Sequence, residues 1–252
     1  GVYSTDVADV PVPVSGAEAG ITSLGNISLN SSAAITESGS DAAVDLIADQ
    51  LSLTAVTGIS DLELAVNELL TVQTSNGDIA LTEVDSAGEN TIGLLVTTAQ
   101  ATQGAVTIAS QSHLRVVQVE AGSGVVRLTS AEGNLQVQEP VAGQSNDAIE
   151  ATDGVALVAL NGELNSYKFF QGSSASASLI EYRAGQKFGL FSFNEAGEAI
   201  AASIPQYLSA DTIIIDIPST LTIEGTLTAD HIELISGGDV FITGNLVGKG
   251  DI

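Results

Sequence analysis

The chain has 252 residues, with 31 Asp and Glu against 6 Lys and Arg, a formal net charge of −25 and no Cys, Met or Trp. Such a surface repels nucleic acid and anionic membranes, the missing cysteines exclude a disulfide framework, and no apolar run is long enough for membrane insertion. The apolar share is 44% but aromatics are only 4%, which suits a narrow stack of aliphatic ladders better than a wide globular interior filled by aromatic rings.

Residues 1–20 open without the basic and apolar regions of a signal peptide, and a chain lacking Met reads as a mature or excised piece of something longer. Val10, Val12 and Val14 alternate there with Pro11 and Pro13, and each proline removes a backbone donor, so the segment suits a sheet edge and not a ladder interior. It is expected to be a linker or a cap over the first coil. The sharper alternative is an assembly arm, in which the three valines dock on another subunit by strand addition.

From Ile21 the chain falls into aliphatic-x-aliphatic triplets, beginning with Gly25-Asn26-Ile27-Ser28-Leu29. That is the period of a strand with one buried face. Leu51 and Leu53 return as Leu70 and Val72, Gly58 as Gly77, and Leu62 as Leu81. The segment 60–70, SDLELAVNELL, also fits a short helix capped by Ser60; strand is preferred because the repeat runs through it. After a longer turn at 84–91, Leu94 and Val96 return as Leu114 and Val116, then as Leu135 and Val137, then as Val155 and Leu157. In parallel, Gly104, Val106 and Ile108 return as Gly124, Val126 and Leu128. Two interleaved series predict two faces of one coil, with glycine at corners that need φ > 0.

The pattern stops near Leu164. Residues 165–208 hold eight of the ten aromatics and three of the six basic residues, and are expected to be an insertion with its own small core, a hairpin of LIEYR and KFGLFSF. Tyr182, Arg183, Lys187 and Tyr207 are its candidate ligand- or partner-binding residues, since loops on a rigid scaffold concentrate function. The alternative is a minicore that seals a break in the stack. Residues 211–248 then read as two copies of one unit, DTIIIDIPSTLTIEGTLTA and DHIELISGGDVFITGNLVG. Ile213 lies over Ile232, Ile215 over Leu234, Leu221 over Val240, Ile223 over Ile242 and Leu227 over Leu246, with Gly225 over Gly244.

The expected fold is all-β: a right-handed parallel β-helix, or β-solenoid, of about 19 to 21 residues per coil. It divides into an arm or cap (1–20), solenoid (21–164), insertion (165–208) and continued solenoid (209–252). An uncapped last coil invites association, because its backbone groups and apolar cross-section lack a neighbour.

Chemistry has few footholds. Asp211 and Asp230 fall on equivalent positions of successive coils, about 5 Å apart at strand spacing, near the separation that retaining glycosidases use. Yet Ala48-Asp49, Ala210-Asp211 and Ala229-Asp230 all precede a triplet, which reads as a turn residue bonding its own backbone. Arg115 and Arg127 sit between inward positions and should point outward. His113 and His231 share no metal-ligand spacing. Neither a metal, a cofactor nor an enzymatic activity is expected.

Triplets such as GNISL, GDIAL, GNLQV and GGDVFI in an acidic chain without Cys resemble the filamentous-haemagglutinin-like repeats of large bacterial exoproteins, and look similar to the β-helical shafts of autotransporter passengers. The resemblance covers roughly 21–164 and 209–252. It implies a non-enzymatic extracellular shaft at the cell surface, for adhesion or scaffolding, with a glycan or protein of a host or neighbouring cell, or copies of itself, as partner. Two alternatives stay open: a filament subunit that assembles by end-to-end coil stacking or arm donation, and a polysaccharide-active β-helix enzyme.

Overall fold

The computed structural model describes residues 20–37, 43–84, 93–138, 148–166, 179–184, 187–193, 199–202, 208–210, 212–217 and 220–248. Among them there is no helix. The strands form a parallel β-solenoid of about 8 turns.

The first coils use long strands that run around more than one face. After β1 (Ile21–Thr22), β2 (Asn26–Ser31) and β3 (Ile35–Thr36) come β4 (Leu46–Ala55) and β5 (Ile59–Thr74). Successive parts of β5 pair with three separate strands of the next coil: β6 (Ile79–Glu83), β7 (Leu94–Val96) and β8 (Ala99–Ala101). From there each coil has three short strands, because turns now interrupt the chain at each corner. They are β9 (Val106–Ser110), β10 (Leu114–Val116) and β11 (Val119–Ala121), followed by β12 (Val125–Ser130), β13 (Leu135–Val137) and β14 (Ile149–Ala151).

Next come β15 (Gly154–Ala159) and β16 (Glu163–Ser166), then β17 (Leu179–Ala184), β18 (Lys187–Phe193), β19 (Ala199–Ala202) and β20 (Leu208–Ser209). The last two coils are β21 (Thr212–Ile217), β22 (Leu221–Ile223) and β23 (Thr226–Ala229), then β24 (His231–Ser236), β25 (Val240–Ile242) and β26 (Asn245–Gly248).

One face is an unbroken parallel ladder, β6, β9, β12, β15, β17, β21, β24. A second runs through β7, β10, β13, β16 and β18, and a third through β8, β11 and β14. In the last coils β22 pairs with β25, and β20, β23 and β26 form their own ladder. Alternation of side chains along each strand puts one aliphatic of each coil directly on the next. Leu62, Leu81, Ile108, Leu128 and Leu157 form one such buried row. A single coil cannot bury its triplets; stacking does.

The stretch 60–70 is strand, as its repeat implies. Three register assignments differ from the sequence reading. Leu53 does pair with Val72, but a bulge between Leu51 and Ser52 pairs Leu51 with Leu69 and leaves Leu70 40% exposed. A second irregularity, between Ile59 and Leu62, sets Ile59 on Ile79, so Gly58 falls opposite Asp78 and not Gly77; Asp61 takes φ 56° within it. Finally, Leu135 and Val137 stack on Leu164 and Ser166, whereas Val155 and Leu157 continue Val126 and Leu128.

The stretch expected as an insertion contributes two strands to the stack. LIEYR is β17, parallel to β15 and β21, and not half of a hairpin. The hairpin is β18 with β19, antiparallel through Leu190 to Phe193, while the first part of β18 stays parallel to β16. A fixed period misses this because register partners are separated by 18 residues at Gln50 and Glu68 but by 33 at Arg183 and Asp216. Extra residues leave at corners without disturbing the ladder.

Candidate functional site

β17 carries two of the candidate residues, Tyr182 and Arg183. Alternation turns Tyr182 inward and Glu181 and Arg183 outward. Tyr182 occupies the row of Leu157 and Ile215 and is fully buried, so it presents no aromatic face to a ligand. Arg183 lies beside Val158 on one neighbouring strand and Asp216 on the other, with Ile235 next in line. Lys187 begins β18. Tyr207, and the arm residues Val10, Val12 and Val14, lie outside the described residues, as does Asp211.

An ion network crosses this outer face. Arg183 Nε donates to Glu181 Oε1 at 2.5 Å, and its Nη1 lies 3.3 Å from Asp216 Oδ2. Arg127 Nη1 reaches the other oxygen of Glu181 at 3.5 Å. Arg127 and Glu181 are two strands apart with Ala156 between them in register, and a methyl group is short enough for the guanidinium to pass over; Ala156 is fully buried. The Glu181 hydrogen bond holds the Arg183 pKa above its ordinary value. Burial opposes that shift, and the charges of Glu181, Asp216 and Glu233 add to it.

Beside Arg183 and Asp216 a groove of about 420 Å³ opens where the strands of the unbroken ladder reach their C-terminal corner. Ala159 and Ala184 are stacked partners at its floor, and their small side chains leave the space. Leu160, 54% exposed, and Ile235, 42% exposed, stand beside it. Such a mix of apolar surface and a few convergent polar groups characterises small-molecule sites, usually ~300 to 1,000 Å³ in size. Sequence reasoning found Arg183 as a rare cation but missed Glu181, Asp216 and Ile235, which join it only through the long returns between coils.

A second polar cluster was also missed. The carboxylates of Glu37, Asp45 and Glu63 come within 4.8 Å of one another, a spacing that a divalent cation could bridge. Asp45 has a structural task there, since its Oδ2 accepts the Glu63 backbone N–H at 3.0 Å. The histidines are divided: His113 is half-buried and its Nδ1 accepts the Asn134 N–H at 2.8 Å, while His231 is exposed.

Fold and groove together define a class, a parallel β-solenoid with an amphipathic recess at one corner. Within and beyond that class, comparison with family models, with curated proteins and with solved structures finds no match.

Proposed function

We propose that this chain is a non-enzymatic structural and adhesive segment of an extracellular, cell-surface protein, a stiff stack that presents its outer face to a glycan or protein of another cell. The observation that supports this reading most is the ladder from β6 to β24. It keeps one buried face from β6 to β21, with Ile232 and Leu234 of β24 partly buried against it, while the loops between coils vary in length, so the scaffold stays rigid and its surface is open to specialisation. The resemblance of the GNISL-type triplets to exoprotein repeats supplies the location. The test is to coat beads with the chain, measure adhesion to cells and to immobilised glycans, and assay a polysaccharide panel for new reducing ends or unsaturated products. Adhesion without turnover is the expected result; released product would make the chain an enzyme, and beads that adhere to nothing would remove the adhesive role.

One observation favours self-association as a second reading. On β25 and β26, Val240, Phe241, Ile242, Leu246 and Val247 are all exposed. In a solenoid such a face is covered by a stacked coil, whether of the same chain or of another copy. Light scattering across a wide concentration range separates the two: growth that Phe241→Ser and Leu246→Ser abolish supports assembly, and constant mass removes it.

A further inference from the structure

We infer that the groove beside Arg183 and Asp216 is a binding site for a neutral saccharide. This deepens the adhesive reading above and rests on it.

Charge narrows the ligand first. Among the described residues that line the groove the one cation is Arg183, whose surroundings include Glu181, Asp216 and Glu233, on a chain of net charge −25. An anionic ligand such as a uronate or phosphate meets more negative than positive charge and is repelled. A cationic ligand gains little, because the carboxylates nearest the groove are already engaged by Arg183, which itself lines the groove.

Hydrogen-bond chemistry narrows it further. Arg183 and Asp216 are direct neighbours across adjacent strands, with Nη1 3.3 Å from Oδ2; that contact leaves the guanidinium further N–H donors and the carboxylate its second oxygen. A guanidinium only donates and a carboxylate only accepts. A ligand that satisfies both from one edge must itself give and take hydrogen bonds at neighbouring positions, as vicinal hydroxyls do. Leu160 and Ile235 then offer aliphatic surface to the C–H face of a sugar ring. Ala159 and Ala184 supply depth: their row starts as Ile21, Leu46 and Leu64, becomes Glu83, Ser110 and Ser130, and passes through these two alanines before it reaches Ile217 and Ser236, which also line the groove. Methyl groups at a corner occupied by leucine in earlier coils leave a recess.

The experiment is saturation-transfer NMR and titration calorimetry of the whole chain with cellotriose, maltotriose and mannotriose, against a galacturonate trimer and trilysine. At least one neutral trisaccharide should bind, with the uronate weaker by about tenfold or more. Leu160→Ser and Ile235→Ser, both at exposed positions, should each weaken it several-fold without moving the melting curve. Asp216→Asn, which keeps the shape and removes the charged acceptor, should weaken it by about tenfold. Equal or tighter binding of the uronate or trilysine overturns the assignment, as does a neutral sugar whose affinity ignores all three substitutions. Beads that still adhere to cells while the trisaccharides fail to bind would overturn the groove alone and leave the adhesive reading standing. Hydrolysis of the sugars would overturn the non-enzymatic reading instead.

Discussion

Ser110 donates its hydroxyl to Glu83 at 2.6 Å, and the two are register partners on β9 and β6, both buried. A carboxylate therefore stands in a row that begins with Ile21, Leu46 and Leu64. Ser112 adds a longer contact to the same oxygen, and Ser130 donates to the Ser112 carbonyl at 2.6 Å. Removing one member of such a buried network costs more than replacing both by apolar groups of similar shape. Ser110→Ala should cost about 1 to 3 kcal/mol, and adding Glu83→Leu should recover most of it. Urea unfolding of the two single variants and the double variant measures the coupling; additive losses would show that the hydroxyl and the carboxylate act independently.

Glycine substitutions should divide sharply by position. Gly154 has φ 138°, and a Cβ there would meet the Leu179 carbonyl of the next coil. Gly154→Ala should cost at least about 1 to 3 kcal/mol from backbone strain alone, with the close approach of the stacked strand adding to it. Gly25 has nothing within 4 Å of an added Cβ, so Gly25→Ala should change stability by less than about 0.5 kcal/mol. Thermal melts of the pair decide it: equal losses would mean that stacking distance is not what selects glycine at 154.

Tyr182 is the aromatic whose role changes most between sequence and structure. Its ring fills the row between Leu157 and Ile215, so Tyr182→Ala should behave as a large-to-small core change and cost about 3 to 5 kcal/mol. A surface residue of a recognition loop would cost almost nothing, and denaturant unfolding tells the two apart.

Most of the architecture was legible because ladder positions are chemically narrow. Ile213 and Ile232, Ile215 and Leu234, Leu221 and Val240, Ile223 and Ile242, and Leu227 and Leu246 are all register partners, as their repeat implies. What a fixed period hides is variation at the corners. One residue of slip at Leu51 and Ser52 moved Leu70 to the surface, and the 33 residues from Arg183 to Asp216 made one long stacked coil look like an insertion. The groove inherits that difficulty. Arg183 was visible as a rare cation, but its partner Asp216 and the wall residue Ile235 become neighbours only once the register across those coils is known.

The two arginines that share Glu181 should differ in importance. Arg127 is 44% exposed at its side chain and sits 3.5 Å from the carboxylate, whereas Arg183 makes the shorter contact and also reaches Asp216. Glu181 itself is buried, so the arginine that serves it best matters most. Arg127→Met should change stability by at most a few tenths of a kcal/mol, and Arg183→Met by about 1 kcal/mol, since more than a third of that side chain is in water and screening limits the pair. The pH dependence follows from the direction of the shift. A cation whose pKa is raised on folding contributes its full stabilisation below its unfolded value and loses it only as pH climbs through the higher folded value. For arginine both lie far above neutrality, so the difference in melting temperature between Arg183→Met and the parent should stay constant from about pH 6 to 9. It should shrink instead with added salt, because a partly exposed pair is screened. A difference that ignores salt would mean that the Arg183 stem, packed along the corner, supplies the stability and its charge does not.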